Sequence, residues 1–101
     1  MRVPLINISE IPSEGTKTVE FFGREVLVFM AGENPRAIMN ACLHIGGPLE
    51  RQGCDFVCQW HQAKYDGESG KRIEGPAPKD ARLMYIPTRV LDGVLTYVYG
   101  E

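Results

Sequence analysis

All the cysteines and histidines of this chain fall between positions 42 and 61: Cys42, His44, Cys54, Cys58 and His61. Four of them form two short pairs. Cys42 and His44 make a Cys-x-His pair, thirteen residues follow (Ile45 to Val57), and Cys58 and His61 make a Cys-x-x-His pair. A thiolate and an imidazole on each of two tight loops make a Cys₂His₂ donor set. Zinc accepts such a set as a tetrahedral structural site. A [2Fe–2S] cluster accepts it too, with thiolates on one iron and imidazoles on the other.

The spacing separates these metals. Zinc sites of this composition commonly pair cysteine with cysteine and histidine with histidine, the histidines on a helix. Here each pair is mixed, and no helical pattern follows. Gly46, Gly47 and Pro48 follow the first pair, and Gly75-Pro76-Ala77-Pro78 lies downstream. Such segments let backbone N–H groups approach the sulfur atoms of a metal centre.

The elements that must position these residues are short and β-rich. Expected strands cover Arg2–Ile8, Thr16–Phe22, Glu25–Ala31, Arg36–Asn40, Asp55–Val57, Ala63–Asp66, Lys71–Ile73, Leu83–Val90 and Val94–Tyr99. Pro4 cannot donate to a ladder, so the first strand belongs at an edge. The apolar run EVLVFMA (25–31) reads as a buried strand. Gly32 to Pro35 and Gly67 to Gly70 read as turns, Gly23-Arg24 as a tight connection, and Asp92-Gly93 as a two-residue hairpin turn. Leu49–Gly53 is expected to hold no more than a short turn. The sum is an all-β, antiparallel sandwich or barrel: a single domain over 1–101, with base strands at about 2–40 and 80–100 and a metal-binding insert at about 41–79.

The bulk composition narrows the function. The chain has 101 residues and a formal net charge of -2, with its basic residues scattered among acids, which excludes a nucleic-acid or anionic-membrane footprint. No apolar run approaches the ~18 residues of a membrane span, and the polar N-terminus is unlike a signal peptide. An odd cysteine count does not close a disulfide framework. A cytoplasmic protein with reduced thiols is the expectation. Cys54 reads as a turn or core residue, Met30, Met39 and Met84 as core, and Arg51 and Lys64 as solvated charges. Trp60 serves either docking or packing.

The two pairs, with CLHIGGPLE around the first and CQWHQAKYDGESGKRIEGPAP after the second, resemble the Rieske family of [2Fe–2S] proteins. The resemblance is close over about 36–80. It implies that Cys42 and Cys58 hold an inner iron and His44 and His61 an outer one. It places Gly46 and Gly47 in the first cluster loop, and Pro76 and Pro78 in a loop covering the cluster. High-potential members carry a disulfide at the positions of Gly47 and Trp60, and a serine where this chain has Ala63. This chain has neither but keeps the tyrosine, as Tyr65. A low-potential carrier is implied, raised modestly by a phenol hydrogen bond. Gln59 and Gln62 depart from the family's usual Pro and Gly. The resemblance implies a ferredoxin passing one electron from a flavin-dependent reductase to a terminal oxygenase, with no catalytic residues of its own. A small subunit of a nitrite-reductase-like enzyme is the alternative within the resemblance, and a structural zinc module the alternative outside it.

Overall fold

The structure is a computed structural model that describes residues 1–40, 48–60, 62–75 and 82–99. Its strands are β1 (Arg2–Asn7), β2 (Lys17–Phe21), β3 (Arg24–Ala31), β4 (Asn34–Met39), β5 (Leu49–Gln52), β6 (Asp55–Cys58), β7 (Lys64–Asp66), β8 (Arg72–Glu74), β9 (Thr88–Leu91) and β10 (Val94–Val98). One 3₁₀ turn (Ile8–Glu10) follows β1, which therefore ends one residue earlier than expected. The fold is all-β, and its strand pairs are antiparallel.

Three small sheets are formed, ordered β1-β10-β9, β2-β3-β4 and β5-β6-β7-β8. The central sheet, β2-β3-β4, explains the unbroken apolar run of β3. Leu27 and Phe29 enter one buried cluster with Ile38, Leu49, Phe56, Cys58, Ala63, Tyr65 and Leu83. Val26 and Val28 enter a second with Ile11, Ala37, Ile86 and Leu95. Alternate residues of one strand thus serve two cores, and a strand covered on both faces must be apolar at every position. The first core faces β5-β6-β7-β8, and the second faces β1-β10-β9.

β1 lies at a sheet edge, with a register shift after Pro4, as its missing donor requires. The β9–β10 turn places Asp92 at φ 51° and Gly93 at φ 77°, the two left-handed residues of a type I′ hairpin. Phe22 and Gly23 do the same between β2 and β3, so this turn lies one residue earlier than expected and Arg24 opens β3.

Three further expectations are corrected. Leu49–Gln52 is a strand, not a turn: its polar sequence hides it, and pairing with β6 makes it. β4 begins at Asn34, because a two-residue turn at Gly32-Glu33 leaves Asn34 opposite Ala31. Leu83–Val90 is not one strand, and only its end joins β9. Residues 82–87 instead form a strap with divided partners. Leu83 N–H donates to the Gly70 carbonyl (2.8 Å), Met39 N–H to Met84 (2.9 Å) and Ile86 N–H to Ala37 (2.9 Å). Pro87, which has no N–H, ends this run. The strap ties β4 to the β7–β8 turn. Met30 and Met39 pack against the second core, whereas Met84 is exposed rather than core.

Candidate metal centre

Cys58 closes β6, opposite Leu49, and is fully buried (0% exposed). The segment after it is a tight loop. Cys58 N–H donates to the Ala63 carbonyl (2.8 Å), and Gln62 N–H returns to the Cys58 carbonyl (2.8 Å). This closure puts Gln62 at φ 64°. A left-handed residue with a side chain costs roughly 1–2 kcal/mol. The glutamine that departs from the family's glycine is therefore a strained residue, held by the two bonds around it.

The first pair lies on a segment anchored at both ends beside this loop. At one end, Asn40 N–H donates to the Glu25 carbonyl (3.0 Å) and Asn40 Nδ2 to Glu25 Oε1 (2.9 Å). Asn40 Oδ1 then accepts from Leu49 N–H (2.9 Å), joining the residue before the segment to the residue after Pro48. At the other end, the Pro48 carbonyl accepts from Gln59 N–H (2.9 Å), the residue next to Cys58. Asn40, Pro48 and Leu49, the described residues on either side of 41–47, thus stand together at the base of the Cys58 loop. Asn40 was not singled out from the sequence, since an asparagine before a loop carries no distinctive signal.

A third segment begins at the same place. A Cβ on Gly75 would stand 2.6 Å from the Cα of Ala63 and 3.0 Å from the Gln62 carbonyl oxygen, with Gly75 at φ 102°. Only glycine fits there, so the backbone at Gly75 is pressed onto the Cys58 loop. Arg72 Nη1 donates to the Gly75 carbonyl (3.2 Å), while Arg72 Nε is buried with no acceptor among the described residues.

Of the residues expected at the site, Cys42, His44, Gly46, Gly47, His61, Pro76 and Pro78 lie outside the described residues. Cys58, Trp60 and Tyr65 are described. Tyr65 is 1% exposed and shares the first core with Cys58 and Ala63. Trp60 is 64% exposed, so it does not serve as packing. Cys54 is an exposed turn residue. Lys64 pairs with Asp55 (3.6 Å). Arg51 is structural rather than solvated: its guanidinium donates to the carbonyls of Gly53 (3.0 Å), Gly15 (2.7 Å) and Met30 (2.8 Å).

This arrangement fits a [2Fe–2S] group. It offers a buried, unpaired thiol at the root of one loop, Pro48 bonded to the residue next to that thiol, and the Gly75 backbone pressed onto the same loop. Among the described residues, no set of three or more His, Cys, Asp or Glu side chains is placed to hold a metal ion elsewhere.

Comparison with known proteins agrees with this geometry. The fold matches a Sphingomonas yanoikuyae B1 ferredoxin with a TM-score of 0.80 at 14% identity, over 98% of this chain and 99% of that one. It also matches the terminal oxygenase of carbazole 1,9a-dioxygenase from Novosphingobium sp. KA1 with a TM-score of 0.77 at 21% identity, over 99% of this chain. This chain spans 30% of the length of that oxygenase chain. A chain in the reduced complex between oxygenase and ferredoxin in carbazole 1,9a-dioxygenase matches with a TM-score of 0.80 at 20% identity, over 95% of this chain and 27% of that one. No curated protein matches the sequence. The family model for the Rieske [2Fe–2S] domain matches residues 1–92, which include both Cys/His pairs and the strands from β1 to β9, and the chain belongs to that family.

Proposed function

We propose that this chain is a Rieske electron carrier of the low-potential ferredoxin type, with Cys42 and Cys58 on one iron and His44 and His61 on the other. The observation that carries the reading is the clasp between Pro48 and Gln59. It joins Pro48, which follows 41–47 in the chain, to the residue after Cys58, so the described residues beside the two Cys/His pairs lie together. Bound there, the cluster takes up and releases one electron.

The chain's own residues set the conditions for that exchange. Cys58 brings its thiolate out of the dry wall of Leu27, Phe29, Phe56 and Tyr65. Two neutral imidazoles in place of two thiolates make the site less negative, lifting the potential from about -400 mV into a range of about -150 to +300 mV. Gly47 and Trp60 cannot form an inter-loop disulfide, and Ala63 offers no hydroxyl. Tyr65, buried with Cys58, supplies one phenol. These features favour the lower part of the range. Trp60, exposed in the second loop, supports a surface met by a redox partner. The full-length match to a ferredoxin, and the matched chain from an oxygenase–ferredoxin complex, support a terminal oxygenase as acceptor. The donor in this reading is a flavin-dependent reductase, as the family resemblance implies. Among the described residues no helix is long and apolar enough to cross a membrane.

An anaerobic redox titration followed by visible circular dichroism tests this reading. The expected result is a one-electron transition in the lower part of the Rieske range, moved to more negative values by Tyr65→Phe. Reduced protein mixed with a matching oxygenase is expected to be reoxidised without oxygen. A protein that carries zinc and undergoes no redox transition would refute the carrier role. A potential unchanged by Tyr65→Phe would refute the tuning by Tyr65.

A further inference from the structure

We propose that Arg72 tunes the reduction potential of the centre by holding a permanent positive charge beside Gly75 and Tyr65, which pack around the Cys58 loop, an inference that rests on the Rieske reading above. Arg72 lies on β8, an edge strand whose other residues, Ile73 and Glu74, are exposed, as is Lys71 before it. An arginine on such a strand ordinarily extends into water. This one turns inward. Its Nη1 donates to the Gly75 carbonyl (3.2 Å), and its Nε is buried with no acceptor among the described residues. Burying a charged donor unsatisfied is costly.

The placement accounts for the cost. Gly75 packs directly on the Ala63 backbone, and the Ala63 carbonyl accepts from Cys58 N–H (2.8 Å). Arg72 is also the cross-strand partner of Tyr65, which shares the Cys58 core. Two contact paths therefore join the guanidinium to the buried thiolate. Arginine does not lose its proton in proteins, so the charge is constant across the working pH range. A fixed positive charge favours the more negative, reduced state of a nearby centre, and partial burial keeps salt from screening it.

The test compares midpoint potentials of wild-type protein, R72Q, R72M, R72K and K71Q, each first assayed for iron and acid-labile sulfide, at low and high salt. R72M keeps the aliphatic stem and serves if R72Q does not fold. The expected result is a more negative potential for R72Q and R72M that persists at high salt. R72K, which keeps the charge but loses the planar fork, stays close to wild type. K71Q, which removes an exposed charge, shifts less, and salt abolishes its shift. A wild-type potential in R72Q or R72M overturns the proposal. So does an R72K shift as large as that of R72Q, which would mark Arg72 as a positioning residue only. Wild-type protein without iron and sulfide would instead refute the Rieske reading and take this inference with it.

Discussion

The two cores on either side of β2-β3-β4 differ in kind. The buried residues of the one facing β1-β10-β9 are aliphatic (Ile11, Val26, Val28, Ala37, Ile86 and Leu95), and its rings, Phe21 and Tyr97, are only partly buried at its margin. The one facing β5-β6-β7-β8 holds the rings of Phe29, Phe56 and Tyr65 together with the Cys58 thiol. Phe29 and Phe56 meet edge to face at 4.8 Å. Both cores hang on the same strand, β3, and differ only in which of its alternate residues they receive. The aliphatic core needs only to be apolar and filled. The aromatic core must also hold one sulfur atom in place, and rings with few rotamers do that better than flexible chains.

Substitutions can break this contrast. Phe29→Ala and Leu95→Ala remove one anchor from each core, and each is expected to cost about 3–5 or 2–5 kcal/mol in denaturant unfolding. They should separate in a second measurement. Phe29→Ala should also shift the reduction potential and speed loss of iron, whereas Leu95→Ala should leave the potential of the folded protein unchanged. Equal potentials in the two variants would show that the aromatic core is only packing.

A smaller effect is expected at the clasp. Asn40→Ala removes the acceptor of Leu49 N–H and the donor to Glu25 Oε1, a loss of about 1–2 kcal/mol in all. Since Asn40 joins the two ends of 41–47, iron release to a chelator should accelerate more than global stability falls. Release in strict proportion to stability would show that the clasp has no local role.

The smallest effect is at the β7–β8 turn. The Asp66 carboxylate accepts from Glu68 N–H (3.1 Å) and from Ser69 Oγ (2.8 Å), and these bonds hold its carboxyl below the usual value of 3.8. The unfolded chain then binds the proton more readily. The contribution to stability is present above about pH 4 and is lost as pH falls through the folded value. Asp66→Asn should therefore be less stable than wild type at neutral pH, with the difference narrowing below pH 4, as thermal unfolding across pH can show.

Much of this molecule was legible in its sequence, and the exceptions share a cause. The β3 run, the Asp92-Gly93 hairpin and the edge position signalled by Pro4 follow from local chemistry, and all three are present. The residues between Leu49 and Gln52 carry no β signal. Pairing with β6 makes them a strand, and the Arg51 fork on three carbonyls holds it to the base. The strap at 82–87 is illegible for the same reason, because its bonds go to residues far away in sequence. At the site, the donor types and spacing of Cys42, His44, Cys58 and His61 point to a metal centre, and Cys58 is the one of the four among the described residues. The clasp by Asn40 and the inward turn of Arg72 carry no such signal, because an asparagine or an arginine on a polar stretch reads as solvated surface.

The central claim is that two thiolates and two imidazoles, one of each from either loop, share one iron–sulfur centre. Electron paramagnetic resonance of the reduced protein tests it most directly. Mixed ligation predicts a [2Fe–2S] signal whose average g lies below that of all-cysteine clusters. A signal with the all-cysteine average, or a colourless protein with zinc and no acid-labile sulfide, would contradict the account.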